Sequence, residues 1–149
     1  MLLGFIVSER GIEANPEKIL VITRMSPILN INRVQRVTGC LAALGRFISR
    51  LDERGLPLYW LLKKADHFKW TPEAQEVLDM LKQLLLKALI LVNLIDGEPF
   101  LLYIAATMQV VSAALVVERE EEGHTLKVQC PVYFISEVLS DSKTRYPQI

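Results

Sequence analysis

The sequence holds only two cysteines in 149 residues, and they lie far apart. Cys40 and Cys130 form no CxxC pair and no Cys/His arrangement, so neither a disulfide nor a zinc site is expected. Both read as core thiols of a reducing, intracellular compartment, cytoplasm or nucleus. Histidine is equally scarce: His67 and His124 each stand alone, without a Cys, Ser or Asp at useful spacing, and read as surface residues. No Asp-Asp pair occurs, and no apolar run reaches the roughly 20 residues that span a membrane. The most apolar run, Leu84 to Ile95, is broken by Lys87 and Asn93 and reads as core. The apolar start from Met1 to Val7 lacks a positive region before it and a small-residue cleavage site, so no signal peptide is expected.

Net charge is also absent, with 17 basic and 17 acidic residues. Spread evenly, that balance would argue against a nucleic-acid partner. The spread is uneven. From Arg33 to Lys69, Arg33, Arg36, Arg46, Arg50, Arg54, Lys63, Lys64 and Lys69 face only Asp52, Glu53 and Asp66. From Asp96 to Glu122, Asp96, Glu98, Glu118, Glu120, Glu121 and Glu122 face Arg119 alone. A basic middle and an acidic later segment fit a chain whose middle meets phosphates. Two solvated faces of opposite sign are the plainer alternative.

What is abundant is apolar surface, 51% of residues, distributed along the whole chain, which argues against global disorder. The length suits one ordinary domain or two small pieces. Phe5 to Ser8 reads as a short strand closed by the turn Glu9-Arg10-Gly11. Asn15-Pro16-Glu17 starts a helix that runs to about Arg24 and stops near Ser26-Pro27, because proline disfavours helical geometry in the residue before it. Asn30 caps the next helix. Its stripe of Ile31, Val34, Val37, Leu41, Leu44 and Ile48 spans roughly five turns and turns Arg33, Arg36 and Arg50 outward. Gly39 and Gly45 on that helix suggest close helix–helix approaches. A short helix covers Leu56 to Lys64, with Pro57 near its start. Thr71-Pro72-Glu73 caps a strongly amphipathic helix through Ala74, Val77, Leu78, Leu81, Leu84 and Leu85, with Phe68 and Trp70 packing back on it. Trp60, Trp70 and Tyr59 could stack on bases but are better placed for core packing. After Asp96-Gly97 the period changes to alternation. Strands are expected at Phe100 to Ile104, Val110 to Val117 and Thr125 to Ile135, with Glu120 to His124 as an acidic turn.

The run Asp96 to Thr107, followed by Val110 to Val117, resembles the opening hairpin of the RNase H-like domain in the Pol polyprotein of gypsy-type LTR retrotransposons. Other segments resemble the same family in the same order. Leu3-Gly4-Phe5-Ile6-Val7-Ser8 with Gly11-Ile12-Glu13 is similar to the primer-grip strand that ends the reverse-transcriptase palm, and Pro16-Glu17-Lys18 to the helix after it. Gly39 and Arg46-Phe47-Ile48 match a helix of the thumb. Pro57-Leu58-Tyr59 with Leu61-Leu62-Lys63-Lys64 matches a Pro-Leu-x-x-Leu-Leu-Lys-Lys segment, and Phe68-Lys69-Trp70-Thr71 with Glu73 a Phe-x-Trp-Thr-x-Glu signature. There are departures. Ala43-Leu44 stands where the thumb usually has Tyr-Tyr, Gly45 where it has Arg, and Ala88-Leu89 and Asn93-Leu94 where the linker has prolines.

The resemblance implies an α+β fold. Residues 1–12 would end a palm, 13–95 would form a helical thumb and connection, and 96–149 would form a truncated antiparallel RNase H-like sheet. It also implies the activities of the family, RNA-directed DNA synthesis and RNase H cleavage, each at a two-metal site. The family's first RNase H strand usually reads Leu-Tyr-x-Asp-Ala-Ser, and its Asp is a metal ligand. Here Ala105 stands at that position. The next ligand, a Glu, would lie beyond Tyr146, and the polymerase Tyr-x-Asp-Asp turn would lie upstream of the primer grip. Asp96, Glu137 and Asp141 do not align with the missing ligands and read as turn or surface residues. This chain alone is therefore expected to catalyse neither reaction and to hold no metal, magnesium belonging to the intact enzymes. Arg33, Arg36, Arg46, Arg50, Lys63 and Lys64 are the expected phosphate contacts to an RNA–DNA hybrid or primer–template duplex. The remainder of a Pol polyprotein is a second expected partner, and a membrane is not. A relic reading frame without activity and a recruited protein-interaction module are the two alternatives.

Overall fold

The computed structural model describes residues 5–25, 30–87 and 90–140. Strands β1 (Phe5–Ser8) and β2 (Gly11–Ala14) form a hairpin in which Ser8 faces Gly11. The turn is therefore only Glu9 and Arg10. Gly11, expected in the turn, instead opens a strand that the sequence reading did not include. Helix α1 (Pro16–Thr23) begins as expected: Asn15 Oδ1 accepts the Glu17 N–H at 2.9 Å, Pro16 occupies the first turn and Glu17 faces the positive end of the dipole. The expected stop at Ser26-Pro27 lies outside the described residues.

Helix α2 (Ile31–Leu44) is capped by Asn30, whose Oδ1 accepts the Arg33 N–H at 3.1 Å. It buries Val34, Val37, Cys40, Leu41 and Leu44 on one face. It ends a turn earlier than expected, because the backbone tightens to a 3₁₀ turn over Gly45–Phe47 and then extends at Ile48. Phe47 and Ile48 both enter the core at that change of direction. Gly39 marks no close approach, since a Cβ there would meet nothing within 4 Å. A short helix that was not expected, α3 (Leu51–Arg54), precedes α4 (Leu56–Lys63). Helix α5 (Pro72–Leu85) starts where Thr71 Oγ1 accepts the Ala74 N–H, and Trp70 Nε1 donates back to Gln75 Oε1 at 2.9 Å. Its buried residues, Ala74, Leu78, Leu81 and Leu85, meet the apolar stripes of α2 and α4 in one core.

The apolar run after α5 is only partly core. β3 (Ile90–Leu91) pairs with β2 and buries Leu91, but Leu86, Leu94 and Ile95 are 71%, 47% and 62% exposed. The helix ends at Leu85, and residues 92–95 form no regular element. A second antiparallel sheet follows, in the order β4 (Phe100–Ala106), β5 (Val110–Arg119), β6 (Val128–Val138). The third strand thus starts three residues later than expected and runs three further. Leu115 faces Tyr133 whereas Val116 faces Pro131, so Val132 is an extra residue that bends β6. Pro131 is tolerated there because β6 lies at the edge of its sheet.

The bent β6 rests on the helical part. Val92 N donates to the Pro131 carbonyl at 2.9 Å, Asp52 N donates to Ser136 Oγ at 3.0 Å, and Phe134 packs on the shared core. At the far end of the linker, Arg119 forks onto Glu98 with two bonds of 2.7 Å and donates to the Asn93 carbonyl at 2.6 Å. The guanidinium holds the Glu98 carboxyl below its usual range. The fold is α+β, as expected.

Candidate nucleic-acid interface

Of the expected phosphate contacts, Arg33 and Arg36 lie on the first half of α2 and line a shallow cleft of about 320 Å³ against the end of α1. Arg24, Leu20, Val21 and Met25 complete the lining. Lys63 and Lys64 end α4 and are exposed. Trp60, three and four residues before them, is 43% exposed on the same helix face. Core packing, expected for this tryptophan, therefore does not describe it, because the helix buries Leu58 and Leu61 instead. Tyr59 and Trp70 are half-buried, and Trp70 packs against the core.

Arg46 and Arg50 are engaged by neighbouring side chains. The Arg46 guanidinium carbon lies 4.3 Å above the centre of the Phe5 ring and 5.5 Å from that of Tyr133. Phe5 in turn is tilted on Phe47 with ring centres 5.8 Å apart. Arg46 thereby joins β1, the turn after α2 and β6, a cation–π arrangement of about 0.5–2 kcal/mol. Arg50 sits in the left-handed region, with φ of 55°, and forks onto Glu53 at 2.6 and 2.7 Å. The carboxylate raises the Arg50 pKa. Trp60, which sequence reasoning weighed for base stacking but assigned to core packing, and Arg24, which it did not consider, adjoin the candidate interface. Trp60 was detectable as the aromatic off the Leu58/Leu61 stripe; Arg24 had no signal, because only the packing of α1 on α2 brings it to the cleft.

Ala105 lies on β4 opposite Ser112, and its side chain is exposed. It borders an open cleft of about 560 Å³ that Ser49, Arg50, Tyr103, Ser112 and Gln129 also line. Among the described residues no carboxylate lines this cleft, and no group of three or more His, Cys, Asp and Glu is placed to hold a metal ion. A hard divalent cation needs oxygen ligands that balance its charge, so the residues here do not fit one. Asp96 lies in a turn and Glu137 is exposed on β6, while Asp141 lies outside the described residues. Glu120 to Glu122, His67 and His124 are exposed, with His124 3.9 Å from Glu121. Cys40 and Cys130 are buried and unpaired with each other, and burial pushes the Cys130 thiol up, away from the reactive thiolate.

One half-buried carboxylate bears on stability. Asp52 accepts the Tyr59 hydroxyl at 3.3 Å beneath β6, and desolvation raises its carboxyl above the usual range. A raised carboxyl pKa means the folded state keeps its proton to higher pH than the unfolded chain. The penalty therefore grows as pH rises through the folded pKa and vanishes below the ordinary value near about 4. Asp52→Asn is expected to raise the melting midpoint at pH 7, by less than about 1 kcal/mol because the group remains partly solvated. The gain should disappear by about pH 3. Thermal melts at the two pH values decide it, and a gain that persists in acid would contradict this account.

The chain is similar to known proteins along nearly all its length. The Tf2-3 and Tf2-4 transposon polyproteins of Schizosaccharomyces pombe are each 25% identical to it over 144 residues, 97% of this chain. The chain spans about a tenth of the length of these curated relatives (10%). Among solved structures, the foamy viral protease–reverse transcriptase in complex with an RNA/DNA hybrid matches 98% of this chain and 19% of its own, with a TM-score of 0.72 at 18% identity. The same viral protein in complex with dsDNA matches 99% of this chain and 30% of its own, with a TM-score of 0.71 at 20% identity. Those likenesses bear on the fold. The expected kinship with retrotransposon Pol polyproteins holds, and residues 70–149 match the model of the RNase H-like domain found in reverse transcriptase. With more than half of its residues so matched, the chain belongs to that family of RNase H-like domains.

Proposed function

We propose that this chain grips an RNA–DNA hybrid or primer–template duplex for a retrotransposon reverse transcriptase, and that by itself it performs neither polymerisation nor RNase H cleavage. The observation that carries the reading is where its cations lie. Arg33 and Arg36 line a cleft in the helical part, and Lys63 and Lys64 stand exposed beside Trp60. Side chains of this kind neutralise phosphates without reading sequence, and an exposed indole offers a stacking surface. The complexes of the foamy viral relative with hybrid and with dsDNA support the same partner class. The absence of an oxygen ligand at Ala105 supports the lack of cleavage. In this reading residues 13–95 act as thumb and connection, residues 96–149 as a tether, and the rest of a Pol polyprotein as the protein partner. Buried, free Cys40 and Cys130 suit a reducing compartment.

Fluorescence anisotropy with a labelled hybrid tests it. Binding is expected at about 1 µM or weaker, fading as salt rises, and Lys63→Ala with Lys64→Ala should reduce the salt slope by about one to two. The same hybrid should stay intact with magnesium present. Affinity indifferent to salt would sink the grip, and cleavage by the purified chain would sink the claim of inactivity. The outward apolar strand β4 favours a protein-interaction module as the second reading.

A further inference from the structure

The second sheet turns one face toward the helical part, and that face is hollow. Alternation along the strands places Tyr103 and Ala105 of β4, Ser112 and Ala114 of β5, and Phe134 of β6 on the same side. Phe134 reaches the shared core, and Ser136 on this side accepts the Asp52 N–H, so the chain just before α3 stands over the sheet. Ala105, Ser112 and Ala114 are too small to close the gap. A cleft of about 560 Å³ remains between them and Ser49 and Arg50. Sites for small molecules span roughly 300–1,000 Å³ and combine apolar walls with a few polar groups.

Ser112 supplies the first of those groups. It is 6% exposed, yet among the described residues its hydroxyl has no hydrogen-bond partner. No side-chain polar atom among the described residues is both fully enclosed and unpaired, so this hydroxyl opens on the cleft. A group so enclosed has little water to bond, and a ligand that bonds it relieves the deficit. The wall adds two more. Gln129 Nε2 donates to Tyr103 Oη at 2.7 Å, which leaves the Tyr103 proton and Gln129 Oε1 for a ligand. The lining selects against charge. Among the described residues no carboxylate borders the cleft, and Arg50, its one cation, already forks onto Glu53 at 2.6 and 2.7 Å. The remainder is apolar and includes the rings of Tyr103 and Phe134, surfaces on which a flat ring packs well.

We propose that this cleft binds a neutral, planar heteroaromatic ring of nucleobase chemistry, with its edge bonded by Ser112, Gln129 and the Tyr103 hydroxyl. A nucleobase edge carries donors and acceptors side by side, which suits two hydroxyls and an amide oxygen. The choice of a base among such rings rests on the nucleic-acid reading above, whereas the cleft itself does not. A base inside a duplex has its edge paired, so the site takes an unpaired one, from a free nucleoside or from a single strand.

The test follows the Ala105 and Ala114 methyl signals and the Gln129 side-chain amide of the full labelled chain. Adenosine, ribose 5-phosphate and a short single strand are added in separate titrations. Adenosine is expected to move all three signals, and ribose 5-phosphate none. Ser112→Ala should weaken adenosine about twofold to tenfold without lowering the melting midpoint. Ala105→Leu, a change at an exposed position that fills the cleft, should abolish binding. The site is overturned if adenosine leaves the signals in place, if ribose 5-phosphate moves them, or if either variant binds adenosine as the parent does. A strand that moves the three signals, and fails to do so in Ala105→Leu, makes the ligand a base of a strand. A strand without effect while adenosine binds makes it a free nucleoside. Adenosine binding without hybrid binding removes the duplex grip and leaves this site, and hybrid binding with adenosine silent does the reverse.

Discussion

Gly11→Ala is expected to cost at least about 3 kcal/mol and to lower the melting midpoint by roughly 6–12 °C. Gly11 has a φ of 135°, a conformation that L side chains rarely adopt. A Cβ there would also overlap the Leu91 carbonyl oxygen and lie 3.0 Å from Val92 Cα. Both obstacles are backbone, so no side chain can swing aside. Relief requires β3 to leave β2, which breaks the pairing of Ile12 with Leu91 and uncovers buried Leu91. Two other glycines calibrate the effect. Gly97→Ala meets nothing within 4 Å but has a φ of 80°, and should cost about 1 kcal/mol from backbone strain alone. Gly39→Ala lies in the α2 interior in open space, and should stabilise by about 0.5–1 kcal/mol. Denaturant melts of the three variants give the order directly. A Gly11→Ala chain as stable as the parent would mean that the hairpin does not pair with β3 as described.

The unaltered chain is expected to self-associate as its concentration rises, and Leu102→Lys with Ile104→Lys to keep it monomeric. β4 is the edge of its sheet, pairing only with β5. Every one of its residues is exposed, including Leu102 at 57% and Ile104 at 68%. The strand Phe100–Ala106 has no charge, no proline and no glycine. Those are the residues that ordinarily keep an edge strand from pairing with a second copy. Two copies of β4 can therefore align antiparallel without repulsion, with apolar side chains meeting across the join. The paired lysines introduce like charges at that join. Because both sites are exposed, the melting midpoint should change by no more than about 0.5 kcal/mol allows. Sedimentation velocity over a concentration series is the measurement. A parent chain that sediments as a monomer throughout would exclude the association, and association that survives the lysines would move it off β4.

The features readable in advance are those set within a few residues of chain. Asn15, Asn30 and Thr71 cap helices because a side-chain oxygen reaches an amide two or three residues on, whatever the rest of the molecule does. The stripes of α2 and α5 were legible for the same reason, and so was the change to alternation after Asp96. The short β2 was not, because Gly11 reads locally as a turn residue, and of its two partners only β1 is near in sequence while β3 lies almost eighty residues away. The same holds for the candidate interface. Charge density identified Arg33, Arg36, Arg46, Arg50, Lys63 and Lys64 as one class, since sequence records only that they are basic. Packing then divided them. Arg46 was drawn between Phe5 and Tyr133, and Arg50 was turned onto Glu53 by its left-handed backbone.

By itself, then, the sequence determined the α+β order of elements, the capped starts of α1, α2 and α5 and the lack of a carboxylate at position 105. Each follows from residue identity or from contacts within a helical turn or a strand. Only the tertiary structure decided that Arg24 joins Arg33 and Arg36, that β6 bends at Val132 to rest on the helical part, and that β4 remains open to solvent. Those outcomes depend on which surfaces meet across long stretches of chain, and contacts of that kind leave no local pattern to read.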